Sequence, residues 1–225
     1  MKKPSKGDFQ QARLNMVLQQ VEPFGVSDTR ILDSLSRLPR EHFVADSVCG
    51  VAYADSCLPI GCGEMSLPPK VIGMALQALQ LESNHTVLEI GTGTGYITAL
   101  LASLVQQVVS IEILPELAQS ASRILPHFDF GNITIHVGNG LLGAPSTEGP
   151  FDVIMLSGSV PYLPTVLRDQ LSIHGRLFAV IGEPPVMSAV LLTRVASEYW
   201  TEQVLFETGI PSLQKIPCMI DQFDW

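Results

Sequence analysis

Val87-Leu88-Glu89-Ile90-Gly91-Thr92-Gly93-Thr94-Gly95-Tyr96 is the stretch that decides how this chain folds. An apolar run of strand formers ends in alternating glycines, and Ile97 to Ala102 then offers a helix. A buried parallel strand running through a glycine turn into a helix is the opening unit of a doubly wound α/β sheet, and the turn is its ligand site. The glycines do not fit a phosphate grip, because no Gly-Lys-Ser/Thr follows them. They do not fit a dinucleotide fingerprint either, since Tyr96 stands where the third glycine belongs.

The two acids near this turn say more. Glu89 lies two residues before Gly91, where a carboxylate repels a pyrophosphate and favours a ligand with an ammonium and a sulfonium. S-adenosylmethionine carries both groups. Seventeen residues after Gly95, the apolar run Val108-Val109-Ser110-Ile111 ends in Glu112, where a ribose diol finds a two-oxygen acceptor. The plainer alternatives are a structural glycine turn with solvated acids and a nicotinamide cofactor. The pattern favours the methyl donor.

Composition sets the limits around that site. A chain of 225 residues suits one domain over 1–225, with N-terminal helices and a substrate-side loop over 1–82 and a cofactor-binding sheet with C-terminal strands over 83–225. With 46% hydrophobic and 16% charged residues, a large core is available and extensive disorder is excluded. The net charge of −9, without a basic stripe, argues against a nucleic-acid partner. Cys49, Cys57, Cys62 and Cys218 show no paired spacing, and His42, His85, His127, His136 and His174 are scattered, so no metal site is expected. No apolar leader follows Lys2 and Lys3, and no apolar run reaches 18 residues. The expectation is therefore a cytoplasmic protein with no membrane partner.

Read in order, the periodicity predicts a helix over Asp8 to Val21, ended by Pro23 and Gly25. A second helix, capped by Ser27 or Asp28, stops at Pro39. An irregular stretch from Asp46 to Glu64 is a candidate lid or binding wall. Pro68-Pro69 starts the next helix. Strands are expected at Thr86–Ile90, Val108–Ile113, Ile133–Val137, Pro150–Leu156 and Arg176–Ile181, with two more near Ala189–Val195 and Trp200–Glu207. Helices are expected over about Tyr96–Leu104, from Pro115 and over Pro164–Leu171. This is a largely parallel, Rossmann-like sheet of about seven strands, covered on both faces and carrying an N-terminal helical extension.

Several separate blocks give the chain a resemblance. Asp28 to Leu32, Leu38 to Val44, Tyr53 with Asp55, Leu58-Pro59-Ile60-Gly61, Val87 to Tyr96, Ser110 to Ile113 and Pro150-Phe151-Asp152 resemble those of the protein-L-isoaspartate O-methyltransferase family. The likeness spans roughly Arg13 to Gly182. It implies S-adenosylmethionine as cofactor and protein repair by methylation of the α-carboxylate of isoaspartyl residues in proteins or peptides. A carboxylate is already ionised at pH 7, so this reaction needs positioning and exclusion of water, with no general base.

By the same resemblance, Glu89, Gly91, Thr92, Gly93 and Gly95 face the methionine part of the cofactor. Glu112 takes the ribose, with Ile113 beside it. Gly138-Asn139-Gly140 matches a family Gly-Asp-Gly near the adenine, and the amide oxygen of Asn139 can still accept a hydrogen bond there. The substrate side departs from the pattern. The family's Gln-Thr-Ile-Ser reads Glu64-Met65-Ser66-Leu67, so apolar side chains stand where two hydroxyls are expected. Ser66 is the catalytic candidate if the loop shifts by one residue. Asp55 is the other, either orienting the acceptor amide or capping a turn. Ser157-Gly158-Ser159 can line the acceptor pocket or simply turn the chain. The family's arginine-aromatic-Val-Pro-Leu segment reads Thr208 to Leu213, keeping only the proline and its aliphatic neighbours. These departures leave a different carboxylate or small-molecule acceptor, or a non-catalytic cofactor-binding relative, as alternatives.

Overall fold

The glycine turn does what its sequence requires, passing from strand to helix through positive φ angles at Gly91 (95°), Gly93 (56°) and Gly95 (94°). The structure, a computed structural model, describes residues 6–214. Helix α1 (Lys6–Met16) runs into a π-helical turn at Val17–Val21 and stops at Gly25, whose φ is 90°. Helix α2 (Thr29–Arg37) starts at Asp28, whose carboxylate accepts the Arg30 N–H at 2.9 Å as an N-cap. Short 3-10 turns lead to a hairpin of β1 (Pro59–Gly61) and β2 (Glu64–Met65), where the sequence predicts an irregular stretch from Asp46 to Glu64. Helix α3 (Pro69–Leu79) begins at the proline pair.

The main sheet follows with β3 (Thr86–Ile90), α4 (Tyr96–Ala102), β4 (Gln107–Glu112), α5 (Pro115–Ile124) and β5 (Ile133–Val137). It continues with β6 (Phe151–Val160), α6 (Thr165–Asp169), β7 (Leu171–Glu183), β8 (Val186–Ala196) and β9 (Tyr199–Glu207). Seven strands lie in the order β5-β4-β3-β6-β7-β8-β9, parallel as far as β7 and antiparallel beyond it. The chain builds outward from β3 to β5 and then returns to place β6 on the other side of β3. Ligands of such sheets sit at the carboxyl ends of the strands flanking that reversal.

Alternation along the strands divides the core. Val87, Val108, Val153, Met155, Phe178 and Val180 face one side and join the N-terminal helices through Met16, Val21, Ile31, Leu35 and Leu76 in one continuous apolar cluster. Leu88, Ile90, Val109, Ile154, Leu156 and Leu177 face the other side, covered by Ala144 and by Leu167 of α6. Among the described residues no helix is long and apolar enough to cross a membrane. No group of three or more His, Cys, Asp or Glu side chains among them is placed to hold a metal ion. Cys218 lies outside the described residues.

Three differences from the sequence reading bear on function. Strand β6 runs past Leu156 to Val160, although Ser157-Gly158-Ser159 reads as a turn. Met155 pairs with Phe178 and Ser159 with Val180, so the residues between bulge out of the ladder with β7. The helix expected over Pro164–Leu171 is confined to Thr165–Asp169, because β7 already starts at Leu171. Finally, β3 stops pairing with β6 at Ile90, and the segment 210–214 takes over the vacated edge. Ser159 N–H donates to Pro211 C=O at 2.9 Å, and Leu213 N–H donates to Ser159 C=O at 2.9 Å.

Candidate active site

A cavity opens at the carboxyl ends of β3, β4 and β6. Its floor is the glycine turn (Gly91, Gly93), one wall is Ile111 to Leu114 with Asn139 to Leu141, and the other is Ser157 and Gly158. The roof comes from two distant parts of the chain, Ile60, Glu64 and Met65 of the hairpin and Pro211 to Gln214. Gln214 Nε2 donates to Glu64 Oε1 at 2.5 Å and closes the roof. A smaller cavity behind the turn shares Ile60, Met65, Gly91, Gly93 and Ser157 with the first and adds Ser66, Leu67 and Tyr96.

Glu112 lies on the cavity wall with its carboxylate fixed by the backbone. Oε2 accepts the Gly93 N–H at 2.7 Å and Oε1 accepts the Leu114 N–H at 2.9 Å. Each oxygen keeps a further lone pair for a ligand. Ile113 and Gly140 line the same cavity. Asn139 does too, and its Oδ1 accepts the Leu141 N–H at 3.1 Å, capping the short turn that follows.

Glu89 is placed differently from the sequence expectation. It lies behind the turn, fully buried and off the cavity wall. Thr98 and Ser110 hydroxyls donate to its Oε2 at 2.6 and 2.7 Å, and the Ser157 hydroxyl donates to Oε1 at 3.1 Å. Burial pushes this carboxyl up to about 7, against the pull of the three hydroxyls. Thr92 joins the group, its hydroxyl 2.6 Å from that of Ser110, and borders only the smaller cavity. Gly95 borders neither. A Cβ there would stand 3.3 Å from Ala121 of α5 and 3.1 Å from Leu125 just beyond it, so this glycine admits the end of α5 against the turn instead of a ligand.

The two catalytic candidates of the substrate side are held by the fold. Asp55 Oδ1 accepts the Lys70 N–H at 2.9 Å and Oδ2 pairs with Lys70 Nζ at 3.2 Å, which caps the first turn of α3. It lines neither cavity. Ser66 borders the smaller cavity, but its oxygen accepts from Arg40 Nη2 at 2.9 Å and from the Leu58 N–H at 3.3 Å. Leu67, at the position of the expected serine, is buried.

Arg40 organises this region in a way that no spacing in the sequence revealed. It is fully buried, and Nη1 donates to the carbonyls of Ala52 (2.5 Å) and Ala54 (3.3 Å). Nη2 reaches Ser56 C=O (3.4 Å) and Leu67 C=O (2.9 Å) besides Ser66. The guanidinium also lies 5.9 Å from the Tyr96 ring centroid. Burial lowers its pKa, and no carboxylate hydrogen-bonds it directly. One cation thus ties the loop that carries the hairpin to the start of α3.

Comparison with known proteins agrees with this arrangement. The family described as protein-L-isoaspartate(D-aspartate) O-methyltransferase (PCMT) matches residues 12–205. A protein-L-isoaspartate O-methyltransferase of Syntrophus aciditrophicus is 41% identical over 190 residues, covering 84% of this chain and 87% of the relative. One from Myxococcus xanthus is 44% identical over 158 residues, covering 70% and 74%. A Plasmodium falciparum structure assigned to the same enzymes, in complex with S-adenosyl-L-homocysteine, superposes with a TM-score of 0.78 at 20% identity. That superposition covers 91% of this chain and 99% of the other, and it speaks for the fold. With the match running from the first helix to the last strand, this chain belongs to the protein-L-isoaspartate (D-aspartate) O-methyltransferase family.

Proposed function

We propose that the protein transfers a methyl group from S-adenosylmethionine to the α-carboxylate of L-isoaspartyl residues in proteins or peptides. The observation that carries this is Glu112 at the end of β4. Both of its oxygens are aimed by backbone N–H groups, with spare lone pairs toward a cavity floored by glycine. That donor set fits a ribose diol, and the acid behind the turn fits a cationic aminoacyl end. When bound, the cofactor supplies an activated methyl on sulfur. Everything else falls to the chain: Gly91 and Gly93 let the ligand approach the backbone, Glu112 and Asn139 set its register, and the two-part roof keeps water out.

Among the described residues, neither cavity is lined by a lysine or arginine. An acceptor carboxylate in these cavities thus meets no cation from the described lining residues. This suits a reaction whose nucleophile is already ionised and whose two charges cancel as the methyl moves. The decisive experiment is methyl transfer to an isoaspartyl peptide beside its aspartyl counterpart. Turnover confined to the isoaspartyl form is expected. Cofactor binding without turnover of either peptide removes the proposal.

Glu112→Ala is expected to weaken cofactor binding by about 1–3 kcal/mol, the range for losing a charged acceptor, and calorimetry reads it directly. An unchanged affinity would remove the ribose role. A second reading keeps the cofactor and changes the acceptor. Its specific support is apolar Met65 on both cavities and buried Leu67, where hydroxyls are expected. A panel of small carboxylates assayed beside the peptide separates the two, and a better acceptor than isoaspartyl peptide would favour the second.

A further inference from the structure

Ser157 stands at the junction of the two cavities. Five residues line both, and Ser157 is the polar side chain among them, beside Ile60, Met65 and two glycines. The bulge in β6 puts it there, partly exposed within an otherwise buried run from Val153 to Val160. Its hydroxyl has one proton, and that proton goes to Glu89 Oε1 at 3.1 Å. With the cationic donor in place Glu89 is ionised, and it can take that proton because Thr98 and Ser110 occupy the other oxygen.

The consequence for a ligand is one of sign. A hydroxyl whose proton is committed to a buried acid presents only lone pairs to the cavity. Lone pairs repel a carboxylate oxygen and attract an N–H. An isoaspartyl residue offers both groups side by side, since its α-carboxylate sits on the carbon that carries the preceding amide N–H. A carboxylate lacking that amide offers nothing to Ser157.

We infer that Ser157 accepts the amide N–H adjacent to the methylated carboxylate and thereby discriminates among acceptors by that amide. This rests on the methyl-transfer reading above and adds to it a residue that touches the substrate. It also supplies a polar contact in a cavity where Met65 and Leu67 are apolar.

The test compares an isoaspartyl peptide with an analogue in which the amide preceding the isoaspartyl residue is an ester, so that oxygen replaces N–H. In the wild-type protein the ester is expected to lose about tenfold or more in kcat/KM, the usual penalty for leaving one partner of a buried hydrogen bond unpaired. Ser157→Ala should turn over both at similar rates, with the loss falling on KM for the peptide, whereas Ser157→Thr should keep the discrimination. Equal rates in the wild type would overturn the inference, as would discrimination that survives intact in Ser157→Ala. If the alanine variant does not fold, a folded threonine variant without discrimination overturns it equally. Failure of the wild type to methylate either peptide would instead bring down the methyl-transfer reading, and this inference with it.

Discussion

Arg40→Ala is expected to cost about 3–5 kcal/mol of folding stability, the upper end of single-substitution effects, and to abolish methyl transfer at temperatures where the wild type is active. The residue is fully buried and donates to four backbone carbonyls and the Ser66 hydroxyl. Truncation leaves those acceptors without donors in a region closed to water, at about 1–3 kcal/mol for each one that stays unpaired. It also opens a cavity the size of the guanidinium. Relief of the buried charge offsets part of this loss. Urea denaturation gives the total. Arg40→Lys should recover only a fraction, because a single ammonium cannot span Ala52, Ser66 and Leu67 as a planar fork does. A stability within about 1 kcal/mol of wild type for the alanine variant would mean that the loop from Ala52 to Leu67 holds itself in place.

The second large effect concerns Glu89. Its folded pKa is raised from 4.5 to about 7, so the native protein holds this proton over a range where the unfolded chain has lost it. Stability without cofactor is therefore greatest below about pH 4.5 as far as this group is concerned, and falls as pH rises toward 7. At about 1.4 kcal/mol per pH unit, the whole contribution is about 3 kcal/mol. Glu89→Gln should flatten that part of the profile and leave the cofactor-free protein more stable than wild type above pH 7. It should also bind the cationic donor more weakly. A cation near the site favours the ionised acid, so donor binding by the wild type at pH 7 should release a proton. Calorimetry in buffers of different ionisation enthalpy detects that release, and its persistence in Glu89→Gln would assign the proton to another group.

Much of this was legible in the residues because local pattern and final structure obey the same rule. Strand β3 falls where its apolar run places it and β5 where its alternation does, and α3 and α5 begin at their prolines. Glu112 could be found by counting along the second strand, since the site is built from strand ends. Other features depend on partners distant in sequence. Ser157-Gly158-Ser159 has turn chemistry, yet Ser159 pairs with Ser212 and holds the chain extended. Asp55 reads as a loop acid, and only the position of Lys70 makes it a helix cap. Arg40 carries no signal of its own inside a family block, and its burial follows from five acceptors spread over Ala52 to Leu67. The charge of Glu89 marks it as part of the site, but not how deeply it lies. Three hydroxyls on α4, β4 and β6 draw it behind the turn.

The roof has a further consequence for how the protein comes into being. Glu64 and Gln214 meet across the cavity mouth, and Leu213 packs so closely on the turn that a Cβ at Gly91 would stand 2.8 Å from it. A ribosome that has made residues up to β9 has already delivered the glycine turn and both glutamates, yet only as an open shelf. Translation must continue past Pro211 before the shelf becomes a chamber. A chain broken off just short of that point would keep nearly all of its sheet and only the hairpin half of its enclosure.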